Sequence, residues 1–330
     1  MAETGSAASP WPHPTLTGEA PIVIAHRGAS AYLPEHTLEA YALAIEMGAD
    51  YIEPDLVMTK DGHLIARHDS YLSSTTDVAD RPDFADRRST RDGRTDWFVD
   101  DFTLAEIKTL RAVQPFPGRE TAYDGRFAIP TFGEILALVR HARAAQDRPV
   151  GVYPETKHPS AFAARGLDMA GPLLAALDAA GMTGRAARVY IQSFEPEFLQ
   201  RLDAQSDLPL IQLVYPVDTE RDGAAASVAL SAAAAYADGV GPSKALLIDE
   251  QGRDTGYVTR AHDLGLAVHP WTHRMDRVGA GYRDGRVELQ RLYALGIDGV
   301  FSDFPDVARA VRALEAGRWR DWVKAASPPK

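Results

Sequence analysis

The sequence predicts a TIM (β/α)8 barrel, a closed parallel α/β fold, with a small insertion after the second strand. Three observations carry the prediction. From residue 21 onward, short β-branched runs alternate with helical patterns, and the count reaches eight of each. Four of the helical patterns run directly into a glycine, where a residue with positive φ ends a helix before the next strand. One connection, residues 70 to about 128, is too long for an ordinary loop. An open doubly wound sheet is the alternative arrangement for such an alternation; the barrel is the reading adopted.

In chain order, PIVIAH (21–26) is the first strand, and the helix Thr37 to Met47 follows it and ends at Gly48. DYIEPDLVM (50–58) is the second strand. Lys60-Asp61-Gly62 then turns the chain back through alternating residues to His68-Asp69, a hairpin that extends this strand. The insertion is rich in Asp, Arg, Ser, Thr and Gly, and the capping box Thr103 to Glu106 opens its one short helix. A helix from Thr131 to Ala145 restores the rhythm. PVGVYPET (149–156), the helix Ala170 to Ala180 with Gly181, ARVYIQSF (187–194) and the helix Glu197 to Leu202 follow. LPLIQLVY (208–215) leads into an alanine-rich helix, Ala224 to Ala237. Three weaker strands, DGVGP (238–242), LAVHPWT (266–272) and DGVFSD (298–303), alternate with helices Tyr257 to Leu264, Val287 to Leu295 and Pro305 to Ala316. Gly265 and Gly296 punctuate this last part.

The organisation expected is a flexible tail over residues 1–20, one barrel domain over 21–320 and a short tail over 321–330. The first twenty residues have neither a basic region nor an apolar core, so they are not a signal peptide as they stand. Lys and Arg number 35 against 46 Asp and Glu, a net charge of −11 that repels phosphate polymers and anionic lipid. Nucleic acid is therefore excluded as the main partner, and no apolar run is long enough for stable membrane insertion. The chain has no cysteine, which removes disulfides, Cys-ligated zinc, iron–sulfur clusters and thiol nucleophiles together. Oligomeric state is not readable.

A parallel barrel delivers every strand's C-terminal end to one rim, where active sites lie. The first strand ends in His26-Arg27-Gly28; the second carries Glu53 and Asp55 and its hairpin ends in His68-Asp69. The third carries Glu155 and Lys157, the fourth Gln192 and Phe194, and the seventh Trp271. Residues two apart on a strand share a face, so Glu53 and Asp55 point together, as do Glu155 and Lys157. Three carboxylates in one barrel mouth repel unless a cation sits among them, and an all-oxygen set suits Ca²⁺, Mg²⁺ or Mn²⁺. His26 and His68 are the candidate acid and base, and Arg27 and Lys157 the candidate phosphate ligands, so the set describes a site that splits a phosphoester. Phe194, Tyr215 and Trp271 could wall off the rest of a ligand. His36 reads as a helix-start residue, His63 as a solvent-facing hairpin residue and Asp303 as a helix N-cap before Pro305, with a hydrogen-bond acceptor behind the site as the alternative.

Residues 24–69, IAHRGASAYLPEHTLEAYALAIEMGADYIEPDLVMTKDGHLIARHD, resemble the opening of the glycerophosphodiester phosphodiesterase family, most of all its bacterial periplasmic branch. TTDVADR (75–81), DDFTLAEIKTLR (100–111), YPETKHP (153–159), YIQSF (190–194), YADGVGP (236–242), HPWTHR (269–274) and FSDFPD (301–306) fit in order. Pro54 between the paired carboxylates, and Thr156 where an aliphatic residue is frequent, depart from the family pattern. The resemblance implies a TIM barrel that hydrolyses glycerophosphodiesters such as glycerophosphocholine and glycerophosphoethanolamine to sn-glycerol 3-phosphate and an alcohol. It further implies a metal held by Glu53, Asp55 and Glu155, Ca²⁺ first and Mg²⁺ as the alternative. His26 is expected as base and His68 as acid, Arg27 and Lys157 on phosphate, and Gln192, Phe194 and Trp271 on the substrate. The location implied is the periplasm or the medium, with the cytoplasm as the alternative. A lysophospholipase D, a Schiff-base aldolase using Lys157 and a non-catalytic surface binding protein are the rival readings.

Overall fold

The computed structural model describes residues 11–146, 148–217, 225–279, 281–317 and 319–320. Its barrel strands are β1 (Ile22–His26), β2 (Tyr51–Glu53, resuming after Pro54 as Asp55–Met58) and β3 (Gly151–Val152, resuming as Glu155–Thr156). They continue with β4 (Ile191–Ser193), β5 (Leu210–Val214), β6 (Gly239–Pro242), β7 (Ala267–Val268) and β8 (Gly299–Ser302). Each pairs in parallel with the next from β1 to β7, and β8 returns to β1. The last seam closes through Asp298 N–H to Val268 O (2.9 Å), Phe301 N–H to Pro270 O (3.1 Å) and His273 N–H to Phe301 O (2.8 Å). The result is the TIM barrel the alternation predicts. Pro54 and Pro154 offer no N–H to a ladder, which is why β2 and β3 are each read as two pieces.

The helices that follow the strands are α1 (Leu38–Glu46), α2 (Phe132–Gln146), α3 (Ala170–Ala179) and α4 (Pro196–Asp203). After them come α5 (Leu230–Ala233), α6 (Tyr257–His262), α7 (Gly285–Ala294) and α8 (Pro305–Glu315). Gly48, Gly181, Gly265 and Gly296 all adopt positive φ at the expected helix ends. One expectation is corrected. The alanine-rich segment is helical only over the four residues of α5, because Ala225–Ala226 is extended and pairs antiparallel with Pro216–Val217. Its first residue, Ala224, lies outside the described residues.

The hairpin is present: Asp55–Met58 pairs antiparallel with Leu64–Ala66. The insertion then folds as short helices and a small hairpin, Ser89–Arg91 with Arg94–Asp96, and its capping box at Thr103 and Glu106 is fully formed. Phe84, Trp97, Val99, Phe102 and Ile107 bury its apolar face in one cluster with the barrel's outer core. Of the N-terminal segment expected as a flexible tail, residues 11–20 lie along the N-terminal end of the barrel. There Trp11 meets the Tyr293 ring edge-on at 5.7 Å, and the Leu16 N–H donates to Asp298 Oδ1 at 2.7 Å. Residues 1–10 and 321–330 lie outside the described residues. Among those described, no helix is long and apolar enough to cross a membrane.

Gly28 shows how tightly the first rim turn is held. It has φ 85°, and a Cβ there would lie 2.7 Å from the backbone carbonyl carbon of Ala40 in α1. Gly28→Ala should therefore lose about 2–5 kcal/mol, the sum of left-handed strain and overpacking. Chemical denaturation measures this; a loss under about 1 kcal/mol would mean that the turn can open away from α1.

Candidate active site

The C-terminal strand ends surround a cavity of about 150 Å³. Of the ten expected site residues, nine line it: His26, Arg27, Glu53, His68, Glu155, Lys157, Gln192, Phe194 and Trp271. Asp55, with no exposed surface, lies beneath them. The strand register brings them together, since Glu53 is level with His26, Asp55 with Glu155, and Glu155 with Gln192.

One oxygen from each of Glu53, Asp55 and Glu155 lies within 4.8 Å of the others, and all three residues are buried. Glu53 Oε2 accepts the Arg27 backbone N–H at 2.8 Å and its Oε1 accepts the Gln192 amide at 3.2 Å. Asp55 Oδ2 faces His36 Nε2 at 2.9 Å and Arg27 Nε at 3.2 Å. Lys157 Nζ donates to Glu155 Oε1 at 2.6 Å and sits 3.8 Å from Asp55 Oδ1. Arg27, turned back by a φ of 60°, donates to both Glu35 oxygens at 3.1 Å.

These carboxylates do not share one protonation state. Burial pushes the Glu53 carboxyl well above its usual range, and Asp55 and Glu155 beside it push the same way. Glu155 is pushed up to about 8 by burial and by Asp55, against the pull of Lys157. Burial would also raise Asp55, but Lys157, Arg27 and His36 outweigh it and hold that carboxyl well below the carboxylate range. Asp55 Oδ1 and Gln192 Oε1 are buried with no hydrogen-bond partner. Three carboxylates converging on one point, with two buried oxygen acceptors at the site unsatisfied, fit a hard divalent cation. The three carboxylates thus form a cluster able to hold a divalent cation. Asp55 and Glu155 outweigh burial and raise the Lys157 pKa, which favours its protonated form and weighs against the Schiff-base reading.

The two histidines are held alike. His26 Nδ1 lies 2.7 Å from Asp303 Oδ1, and His68 Nδ1 lies 2.7 Å from Asp69 Oδ1. A carboxylate at Nδ1 fixes the proton there and leaves Nε2 as the basic nitrogen. Burial, with Arg27 next to it, lowers the His26 pKa to about 4, so its ring is neutral at pH 7. His68 is about one-third exposed and stands at the open side. Phe194 contacts both Trp271 and Tyr215 at ring distances of 5.8 and 5.9 Å, forming an apolar wall.

Three participants escape sequence reasoning, and for Asp303 the alternative reading holds over the preferred cap. His36 is not a simple helix-start residue; it is wholly buried, with φ 57°, between Tyr41 OH (2.7 Å) and Asp55. Asp303 is not the N-cap of α8, which Phe304 occupies without a side-chain bond; its carboxylate faces His26, Arg119 and Arg274 instead. Arg274 lines the cavity and Arg119 reaches in from the insertion. Arg274 closes the strand-7 segment HPWTHR, a rim position that could have marked it; nothing local marks Arg119 among the insertion's many arginines. His63 is exposed on the hairpin, as expected.

Comparison with known proteins gives the family. Residues 26–307 match the glycerophosphoryl diester phosphodiesterase family. A glycerophosphodiester phosphodiesterase of Haemophilus influenzae is 34% identical over 324 residues, covering 86% of this chain and 88% of its own. One of Arabidopsis thaliana is 35% identical over 315 residues, covering 86% and 84%. The crystal structure of a glycerophosphoryl diester phosphodiesterase from Silicibacter pomeroyi superposes with a TM-score of 0.68 at 26% identity, over 92% of this chain and 95% of that one. A family match across nearly the whole barrel, with relatives above 30% identity over most of both chains, means that this chain belongs to the glycerophosphoryl diester phosphodiesterase family and is a phosphodiester hydrolase.

Proposed function

We propose that the enzyme cleaves small glycerophosphodiesters, such as glycerophosphocholine and glycerophosphoethanolamine, to sn-glycerol 3-phosphate and the alcohol by histidine acid–base catalysis. The observation that carries this is one small cavity lined by two carboxylate-backed histidines, two cations and a buried carboxylate cluster. Its size of about 150 Å³ supports a glycerol-based diester over an acylated one, which disfavours a lysophospholipase D.

Glu53, Asp55 and Glu155 would hold the metal, Ca²⁺ in first place and Mg²⁺ as the alternative; when bound, it supplies positive charge to a phosphate oxygen and to glycerol hydroxyls. Arg27 and Lys157 neutralise the remaining phosphate charge, and Gln192 orients the diester by hydrogen bonding. Neutral His26 takes the proton of the attacking oxygen at Nε2, whether water or the adjacent glycerol hydroxyl. His68 delivers a proton to the departing alcohol oxygen, and a route through a cyclic phosphate exchanges the two roles in its second step. Phe194 and Trp271 shield the alcohol portion. The resemblance to the periplasmic branch supports a location in the periplasm or the medium.

The test is release of sn-glycerol 3-phosphate from glycerophosphocholine by the purified protein. EDTA should abolish release and added Ca²⁺ or Mg²⁺ should restore it. Full turnover in EDTA would overturn the metal assignment, and no release with any metal or head group would overturn the substrate assignment.

A further inference from the structure

We propose that Arg119, carried by the insertion, is a positioning residue for His26, which makes the module over the rim a working part of the active site. The inference rests on the reading of His26 as the base. The Arg119 side chain is 3% exposed, although the insertion that supplies it is largely a surface structure. Its Nη2 donates to Asp303 Oδ2 at 2.6 Å, and Asp303 Oδ1 in turn faces His26 Nδ1 at 2.7 Å. Its Nη1 donates to the Ser30 carbonyl at 3.2 Å, and the Ser30 hydroxyl donates to the His26 carbonyl at 2.8 Å. One guanidinium therefore holds both the carboxylate opposite the ring and the turn from which the ring hangs. Asp276 completes its fork, at 2.7 Å from Nε and 3.1 Å from Nη2.

Arg274 also donates to Asp303 Oδ2, at 2.8 Å, but it cannot substitute. It lines the cavity and is 22% exposed, so an anionic ligand competes for it. Arg119 does not line the cavity, and its planar fork fits two carboxylates and a carbonyl at once. A bound phosphate can draw Arg274 away while Arg119 keeps Asp303, and with it the His26 ring, in place.

Removing the clamp should act on turnover rather than on substrate capture. Arg119→Ala should lower kcat by about 10²-fold, the scale of a 1 Å misplacement, with KM within about 3-fold of the parent. Added guanidinium chloride at non-denaturing concentration should recover part of that loss, which a merely unstable fold would not show. Arg119→Lys keeps the charge and loses the fork, and should lose about 10-fold in kcat at an unchanged thermal midpoint; it decides the matter if the alanine variant does not fold. His26→Ala is assayed beside them. If it is inactive while Arg119→Ala and Arg119→Lys turn over within about 2-fold of the parent, the clamp is overturned and the base stands. If His26→Ala itself retains activity, the reading of the base fails. A loss in Arg119→Ala with KM raised in step and no guanidinium recovery also overturns the clamp.

Discussion

Asp55→Asn should lower metal-stimulated kcat by at least about 10²-fold and remove the thermal stabilisation expected when the parent enzyme is given a divalent cation, Ca²⁺ first. Asparagine keeps the volume and one carbonyl oxygen, so packing at this wholly buried position survives and only charge is lost. Asp55 is the one member of the carboxylate cluster whose surroundings hold it ionised, through Lys157, Arg27 and His36. Glu53 and Glu155 are both pushed toward the protonated form by burial and by Asp55 itself, so Asp55 is the ionised carboxylate of the cluster before a cation binds. Ligand binding stabilises a fold by RT ln(1 + [L]/Kd), about 2.7 kcal/mol at a hundredfold excess over Kd. A calorimetric scan with and without Ca²⁺ reads that gain separately from activity. Near-parental kcat in Asp55→Asn, or an undiminished Ca²⁺ shift, would remove Asp55 from the metal site.

Acid should destabilise the EDTA-treated protein steeply. Between about pH 5.5 and 4.5 the loss should be roughly 2–3 kcal/mol per pH unit. His26, His36, His269 and His273 are all lowered to about 4, in each case chiefly by burial. In this window the unfolded chain binds four protons at these rings that the folded chain refuses, so stability is present above 6.5 and is lost as pH falls toward 4. Glu53 and Glu155 act in the opposite sense, because the folded state holds their protons where the unfolded state has released them. Four against two leaves a net uptake of about two protons on unfolding. Urea midpoints at pH 6.5 and pH 5 in EDTA measure it; a midpoint that stays level or rises toward pH 5 would show that the buried rings take up protons in the folded state.

Much of this was legible in the sequence because it is written locally. Strand ends follow from β-branched runs, helix ends from glycines, and the Glu53–Asp55 pair from a spacing of two on one strand. What was missed depends on long-range geometry. His36 looks like any residue before a helix until a left-handed φ turns its ring onto Asp55. Asp303 before Phe304-Pro305 has the local form of a cap, yet two arginines and an imidazole claim its carboxylate first. Two of these partners, Arg119 and His26, lie 184 and 277 residues away in the chain. The alanine-rich segment has helical propensity throughout, but pairing with Pro216–Val217 takes Ala225 and Ala226.

The packing of Trp11 against Tyr293 sets an order in time. The two rings are separated by 293 − 11 = 282 residues, and Leu16 likewise waits for Asp298. At about 5–20 residues per second, translation leaves the Trp11 ring without its partner for roughly 15–60 s. This early segment is thus among the last to dock, and it docks at the foot of β8, the strand that closes the barrel. A nascent chain of this enzyme carries an exposed indole until closure, and burial of that indole marks completion of the fold.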